Sequence, residues 1–258
     1  MAVPDIQLEK AVTAINQYPG VSHNYLRPGK YNIWYTIAVP PGESLERTVE
    51  RLSSSAGGWP TLILPALKKY KLAVVLDVLE EGESVSNDDQ LELPKMESQD
   101  LFDPSMENIK MVRTIQEDLP LVKRPFELWA EDLSVSEEEL LELISKWLER
   151  GLMRRFAAVL NHRQVGFSAN GMVVWSCPAE RIDEYGSILA SHPEVSHCYH
   201  RPAFPVWPYN LYAMVHGRSM HECRGIAEKL AEAIHMHDYE ILFSTKEFKK
   251  IRLKLFWE

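Results

Sequence analysis

Residues 19–28 read PGVSHNYLRP and residues 193–202 read PEVSHCYHRP, so seven of ten positions recur within one chain. The recurring residues include His23, Tyr25 and Arg27 in the first copy and His197, Tyr199 and Arg201 in the second. An apolar repeat would report only two similarly built cores, because packing asks for volume and period and not for particular polar groups. On an extended segment these alternate positions share one face of a sheet. The repeat therefore predicts a basic, hydrogen-bonding surface suited to an anionic ligand.

The duplication spreads outward from this passage. Tyr31-Asn32-Ile33 returns as Tyr209-Asn210-Leu211, and Lys68-Lys69-Tyr70-Lys71-Leu72 pairs with Lys249-Lys250-Ile251-Arg252-Leu253, the offset drifting from 174 to 181. Helical stretches at 5–18 and 44–55 match others at 179–192 and 219–236. Each copy reads strand, helix, strand, strand, helix, strand. The expected class is α+β, with two ferredoxin-like βαββαβ units at 1–80 and 161–258. The second copy has a full first strand at 172–176, whereas Met1-Ala2-Val3 is almost all the first copy has. An upstream segment is expected to be missing. Each unit should bury its open sheet face against the other, making an internal pseudo-dimer that leaves further homo-oligomers open.

Composition excludes several classes. No apolar run in the 258 residues approaches a membrane span, and MAVPDIQLEK lacks the basic-then-apolar pattern of an export signal, so a cytoplasmic protein is expected. Cys177, Cys198 and Cys223 form no CxxC pair, which argues against a disulfide framework or structural zinc. A net charge of −9 argues against a general nucleic-acid role.

Between the repeats, 81–105 reads as an acidic linker and 106–160 as a winged helix-turn-helix. Helices are expected at 106–117, around 126–130 and after Ser136, which stands at capping-box spacing from Glu139. Leu140, Leu141, Ile144 and Leu148 should form the buried stripe, and short strands should follow at 153–160. A DNA reader meets phosphates with the start of this last helix, yet Glu137, Glu138 and Glu139 occupy it. DNA is not the expected partner.

A winged helix-turn-helix joined to a ferredoxin-like domain resembles the Lrp/AsnC regulators. The phrases LMRRFAAVLNHRQVGFSANGMVVW (152–175), EVSHCYHRP (194–202) and WPYNLYAMVHG (207–217) more closely resemble the siroheme decarboxylases of alternative haem and haem d1 biosynthesis. The similarity is strong over 107–258, with 1–80 as the partner half, although that half lacks both a helix-turn-helix and the RRF…NHR passage. It implies a carboxy-lyase that removes carbon dioxide from two acetate side chains of siroheme to give 12,18-didecarboxysiroheme. A non-catalytic tetrapyrrole-binding partner subunit and an Lrp/AsnC-type regulator are the alternatives.

Siroheme carries carboxylates around a flat macrocycle, so its pocket needs cations and aromatic walls. Arg154, Arg155, Arg163 and Arg201, with Trp175, Trp207, Tyr199 and Tyr209, are the substrate-binding candidates. Tyr199 could equally pack as a sheet aromatic. His162 and His197 are the candidate catalytic general acids, consistent with the two functional histidines that the resemblance implies. Either could instead contact the siroheme iron. His23, Tyr25 and Arg27 are a contribution from the partner half. No cofactor is expected, because the iron belongs to the substrate, and no protein metal site is expected, because His197 and His200 point to opposite sheet faces.

Overall fold

The computed structural model describes residues 1–72, 102–153, 156 and 169–257. The expected linker therefore lies almost wholly outside the described residues, as do Arg154, Arg155, His162, Arg163 and most of the expected wing.

In the first half a 3-10 turn, Asp5–Gln7, leads into α1 (Leu8–Asn16), β1 (Val21–Leu26), β2 (Ile33–Ile37), α2 (Leu45–Ala56) and β3 (Lys68–Leu72). Ser44 caps α2 by accepting from the Arg47 amide, and Gly57 ends the helix at φ 119°, a conformation that costs glycine little. No initial strand forms, but Met1 stands in for the end of one by accepting from the Ile33 amide at 3.1 Å.

The helical unit has α3 (Met106–Ile115), α4 (Pro125–Leu133) and α5 (Glu137–Glu149). The expected capping box forms reciprocally between Ser136 and Glu139. Leu140 and Ile144 are buried as expected, but Leu141 is 40% exposed and Trp147 takes its place in the core. Residues 140, 144 and 147 follow the 3.6-residue period, whereas 141 begins the neighbouring face. Lys254 pairs with Glu117, and Leu255 bonds Gln116, so 253–257 belong with this unit and not with the second half.

The second half has β4 (Ala169–Trp175), α6 (Ile182–Ser191), β5 (Val195–His200), β6 (Leu211–Gly217), α7 (Met220–Ala233), β7 (Tyr239–Phe243) and β8 (Lys246–Lys250). Among the described residues two antiparallel sheets result, ordered β2-β1-β8 and β3-β5-β6-β4-β7. This corrects the expected closing strand of each copy. β7 stays in its own half beside β4, while β8 crosses to pair with β1, and β3 crosses the other way to pair with β5. The crossing strands cover edges that would otherwise present unpaired backbone groups.

The exchange also fixes the true repeat register. Leu72 lies opposite His197 as Lys250 lies opposite His23, so 68–72 corresponds to 246–250, three residues earlier than the lysine pattern suggests. Further pairs obey the same relation. The Lys71 ammonium donates to the His192 carbonyl at 2.7 Å and the Lys249 ammonium to the Asn16 carbonyl at 2.7 Å. Arg27 donates to the Leu242 carbonyl and Arg201 to the Leu64 carbonyl, each reaching into the opposite half.

Each half keeps a core between its helices and its sheet. A further cluster of Tyr31, Met172, Val174, Trp207, Tyr212 and Leu242, with Trp34, Leu62 and Leu64 against it, joins the two open sheet faces. The crossing strand β3 is held by Tyr70, whose ring lies 2.4 Å from where a Cβ on Gly186 of α6 would stand. Gly186→Ala should therefore destabilise the fold by ~1–3 kcal/mol despite alanine's better helix propensity. A denaturant midpoint equal to or above wild type would contradict this packing.

Candidate functional site

On β5 the side chains divide by face. Cys198 and Val195 enter the helix-side core, whereas His197 and Tyr199 lie on the opposite, open face and are half-buried. An irregularity between Val195 and His197 makes this division possible, because it shifts the alternation by one residue. Directly across the ladders stand Met214 and Tyr212 of β6, and Leu72 and Lys69 of the crossing β3. The His197 and Tyr199 rings are 6.1 Å apart, and the Arg201 guanidinium lies 4.9 Å from the Tyr199 ring centroid. The His197 Nδ1 is 2.8 Å from the Ser196 hydroxyl.

The first half repeats this arrangement. His23 and Tyr25 are 6.1 Å apart, His23 Nδ1 is 2.9 Å from the Ser22 hydroxyl, and Lys250 and Glu247 of the crossing β8 stand opposite. Burial and then the Lys250 ammonium hold His23 below the ordinary imidazole range, with Glu247 opposing. His23 should titrate below ~6.5 by NMR, and Lys250→Gln should raise its value. Because the unfolded chain binds this proton more readily, the contribution to stability is lost as pH falls below ~6.5. A His23 value above that of a free imidazole would contradict the assignment.

Several candidates sit elsewhere than a ligand wall. Trp175 is fully buried in the helix-side core, with its indole donating to the Met236 carbonyl at 3.1 Å. Trp207 is 8% exposed and packs between the halves against Tyr31, Trp34 and Tyr209. Burial and then a hydrogen bond to Glu240 push the Tyr209 phenol up to about 12. Arg27 is 4% exposed, and burial pulls its guanidinium down to about 10. Arg27 and Arg201 thus both join the halves, and each also borders the open-face tyrosine of its own half, Arg27 at 5.9 Å from the Tyr25 ring centroid and Arg201 at 4.9 Å from that of Tyr199. Lys69 and Lys250 are cations that the sequence pattern left unassigned; their signal lay in the repeated lysine strands, but their placement depends on the crossing.

Among the described residues no group of three His, Cys, Asp or Glu could hold a metal ion. His200 lies opposite Leu211, a helix-side core residue, and so faces away from His197. All three thiols are buried, and burial pushes Cys198 up to about 12 and Cys177 to about 11, which makes them poor nucleophiles. At the start of α5, Glu137 pairs with Arg124 and Glu139 is spent in the capping box, leaving an acidic turn unsuited to phosphate. No helix among the described residues is long and apolar enough to cross a membrane.

Comparison with known proteins agrees with this architecture. The AsnC-like ligand binding domain matches residues 1–71 and 164–249, and the siroheme decarboxylase NirDL-like HTH domain matches 108–154. A siroheme decarboxylase of Hydrogenobacter thermophilus is 40% identical over 98% of this chain and 74% of its own length. The siroheme decarboxylase beta subunit of Methanosarcina barkeri is 40% identical over 57% of this chain and 97% of its own. A crystal structure of the siroheme decarboxylase NirDL in complex with an iron-uroporphyrin III analogue superposes with a TM-score of 0.67 at 35% identity, covering 98% of this chain and 72% of that one. With the paired AsnC-like halves and the NirDL-like helical domain in a single polypeptide, the chain belongs to the siroheme decarboxylase family.

Proposed function

We propose that this chain is a carboxy-lyase that removes carbon dioxide from two acetate side chains of siroheme. The observation that carries the reading is the 40% identity, along 98% of the chain, to a siroheme decarboxylase. The open face supplies chemistry that suits it. In each step a side-chain carboxylate leaves as carbon dioxide, the electron pair of the broken C–C bond passes towards the macrocycle, and one proton added at the methylene gives a methyl group. The net change per acetate is one proton consumed and one carbon dioxide released. A resident cofactor is unnecessary in this scheme, since the ring itself takes up the electron pair and the iron arrives with the substrate.

His197 is the proposed proton donor, being a half-buried imidazole beside Tyr199 on a face bordered by Lys69. Lys69 and Arg201 supply cationic partners for substrate carboxylates, and Tyr199 a hydrogen-bonding edge. His162 remains the proposed second acid, and Arg154, Arg155 and Arg163 further carboxylate anchors. His23, Tyr25 and Lys250 offer a related surface in the other half.

Anaerobic incubation of the purified chain with siroheme, followed by mass spectrometry of the extracted tetrapyrrole, tests the proposal. Loss of two carboxyl groups as carbon dioxide is expected. An unchanged mass with a shifted absorption spectrum would replace it with a non-catalytic tetrapyrrole-binding subunit.

A further inference from the structure

The two halves place equivalent histidines in unequal hydrogen-bond chains. In the first half His23 Nδ1 meets the Ser22 hydroxyl, which meets the Thr36 hydroxyl at 2.9 Å. In the second half His197 Nδ1 meets the Ser196 hydroxyl at 2.8 Å, and Ser196 meets Nε2 of a second imidazole, His216, at 2.8 Å. The His216 Nδ1 in turn lies 2.7 Å from the Asn170 amide oxygen. His216 and Asn170 are directly paired across β6 and β4, on the same open face as Met214. The residue corresponding to His216 in the first half is Ala38, because Ile37 opposes Val21 as Val215 opposes Val195.

Donor and acceptor rules give this chain a direction. The Asn170 oxygen can only accept, so His216 carries its proton on Nδ1 and, when neutral, has a lone pair on Nε2. The Ser196 hydroxyl donates to that lone pair and therefore accepts from His197 Nδ1–H. When His216 is protonated, the hydroxyl can turn to the Met214 carbonyl at 3.2 Å and still accept from His197. In both states the proton on His197 Nδ1 stays in place, and Nε2 is the nitrogen that gains and loses a proton.

We propose that Ser196 and His216, anchored by Asn170, are positioning residues that hold His197 as its Nδ1–H tautomer and so assign proton delivery to Nε2. The catalytic part rests on the decarboxylase reading above; the tautomer itself does not. Among the described residues no second imidazole stands behind His23, where Ser22 meets the Thr36 hydroxyl, which distinguishes the two pseudo-equivalent histidines by structure.

The test is two-bond ¹H–¹⁵N correlation NMR of the ¹⁵N-labelled full chain, at a pH where the imidazoles are neutral, with siroheme turnover measured in parallel. Both His197 and His216 should carry their protons on Nδ1. Ser196→Ala should move His197 towards the Nε2–H form favoured by free imidazole and lower kcat by ~10-fold or more, and Ser196→Thr should restore both through its hydroxyl. An Nε2–H His197 in the wild type overturns the relay without any variant needing to fold. So does Ser196→Ala with tautomer and kcat unchanged. A wild type that releases no carbon dioxide yet holds His197 as Nδ1–H overturns the decarboxylase reading and supports the relay's structure.

Discussion

Replacing His197 by alanine is expected to lower the rate of siroheme decarboxylation by ~10²–10⁴-fold, the usual contribution of a positioned general acid. The fold should survive the change. The ring is half-buried on an open face, and Ser196 keeps both His216 and the Met214 carbonyl as hydrogen-bond partners. A loss of stability within ~1 kcal/mol is therefore expected. The product distribution carries more information than the rate. If His197 protonates one methylene and His162 the other, His197→Ala should accumulate a tetrapyrrole that has lost a single carbon dioxide. A variant that forms the doubly decarboxylated product at the wild-type rate would remove His197 from the chemistry. His197→Gln, which keeps a hydrogen-bonding head but no titratable one, should resemble alanine in rate.

Trp175→Ala is expected to act on stability instead. The side chain is fully buried in the helix-side core, tilts 45° to the Tyr239 ring at 5.9 Å and satisfies the Met236 carbonyl. Removing it leaves a large cavity and an unpaired carbonyl, costing ~3–5 kcal/mol and lowering the Tm by roughly 6–20 °C. Trp175→Phe should recover much of this, because it refills the volume and loses mainly the hydrogen bond. At a temperature where the alanine variant is folded, its siroheme affinity should match wild type. Weakened binding without a change in Tm would return Trp175 to the ligand wall.

The fate of Trp175 shows where sequence pattern stops. In Val173-Val174-Trp175 every residue is buried, because α7 covers one face of β4 and the other half covers the opposite face. With both faces covered, period-two alternation no longer separates core from site. The helices and the shared His, Tyr and Arg passage were legible because caps, apolar period and a polar repeat are local signals. The crossing of β3 and β8 was not. A strand reading KKYKL looks like an exposed edge whichever sheet it joins, and pairing between residues far apart in sequence leaves no local trace. The same gap hid Lys69 and Lys250, and it hid the reach of Arg27 and Arg201 into the opposite half, where each guanidinium gives one of its donors to a backbone carbonyl.

The reciprocal exchange of β3 and β8 makes the peptide between the halves dispensable for holding them together. Two fragments produced by a break within 81–105 would still be interlocked, each having lent a strand to the other's sheet. Neither would be an autonomous module, for each would lack its own edge strand and the lysine that strand carries to the neighbouring open face. A gene fission there would turn one polypeptide into an obligate heterodimer with no new interface to evolve. The reverse fusion would be equally silent.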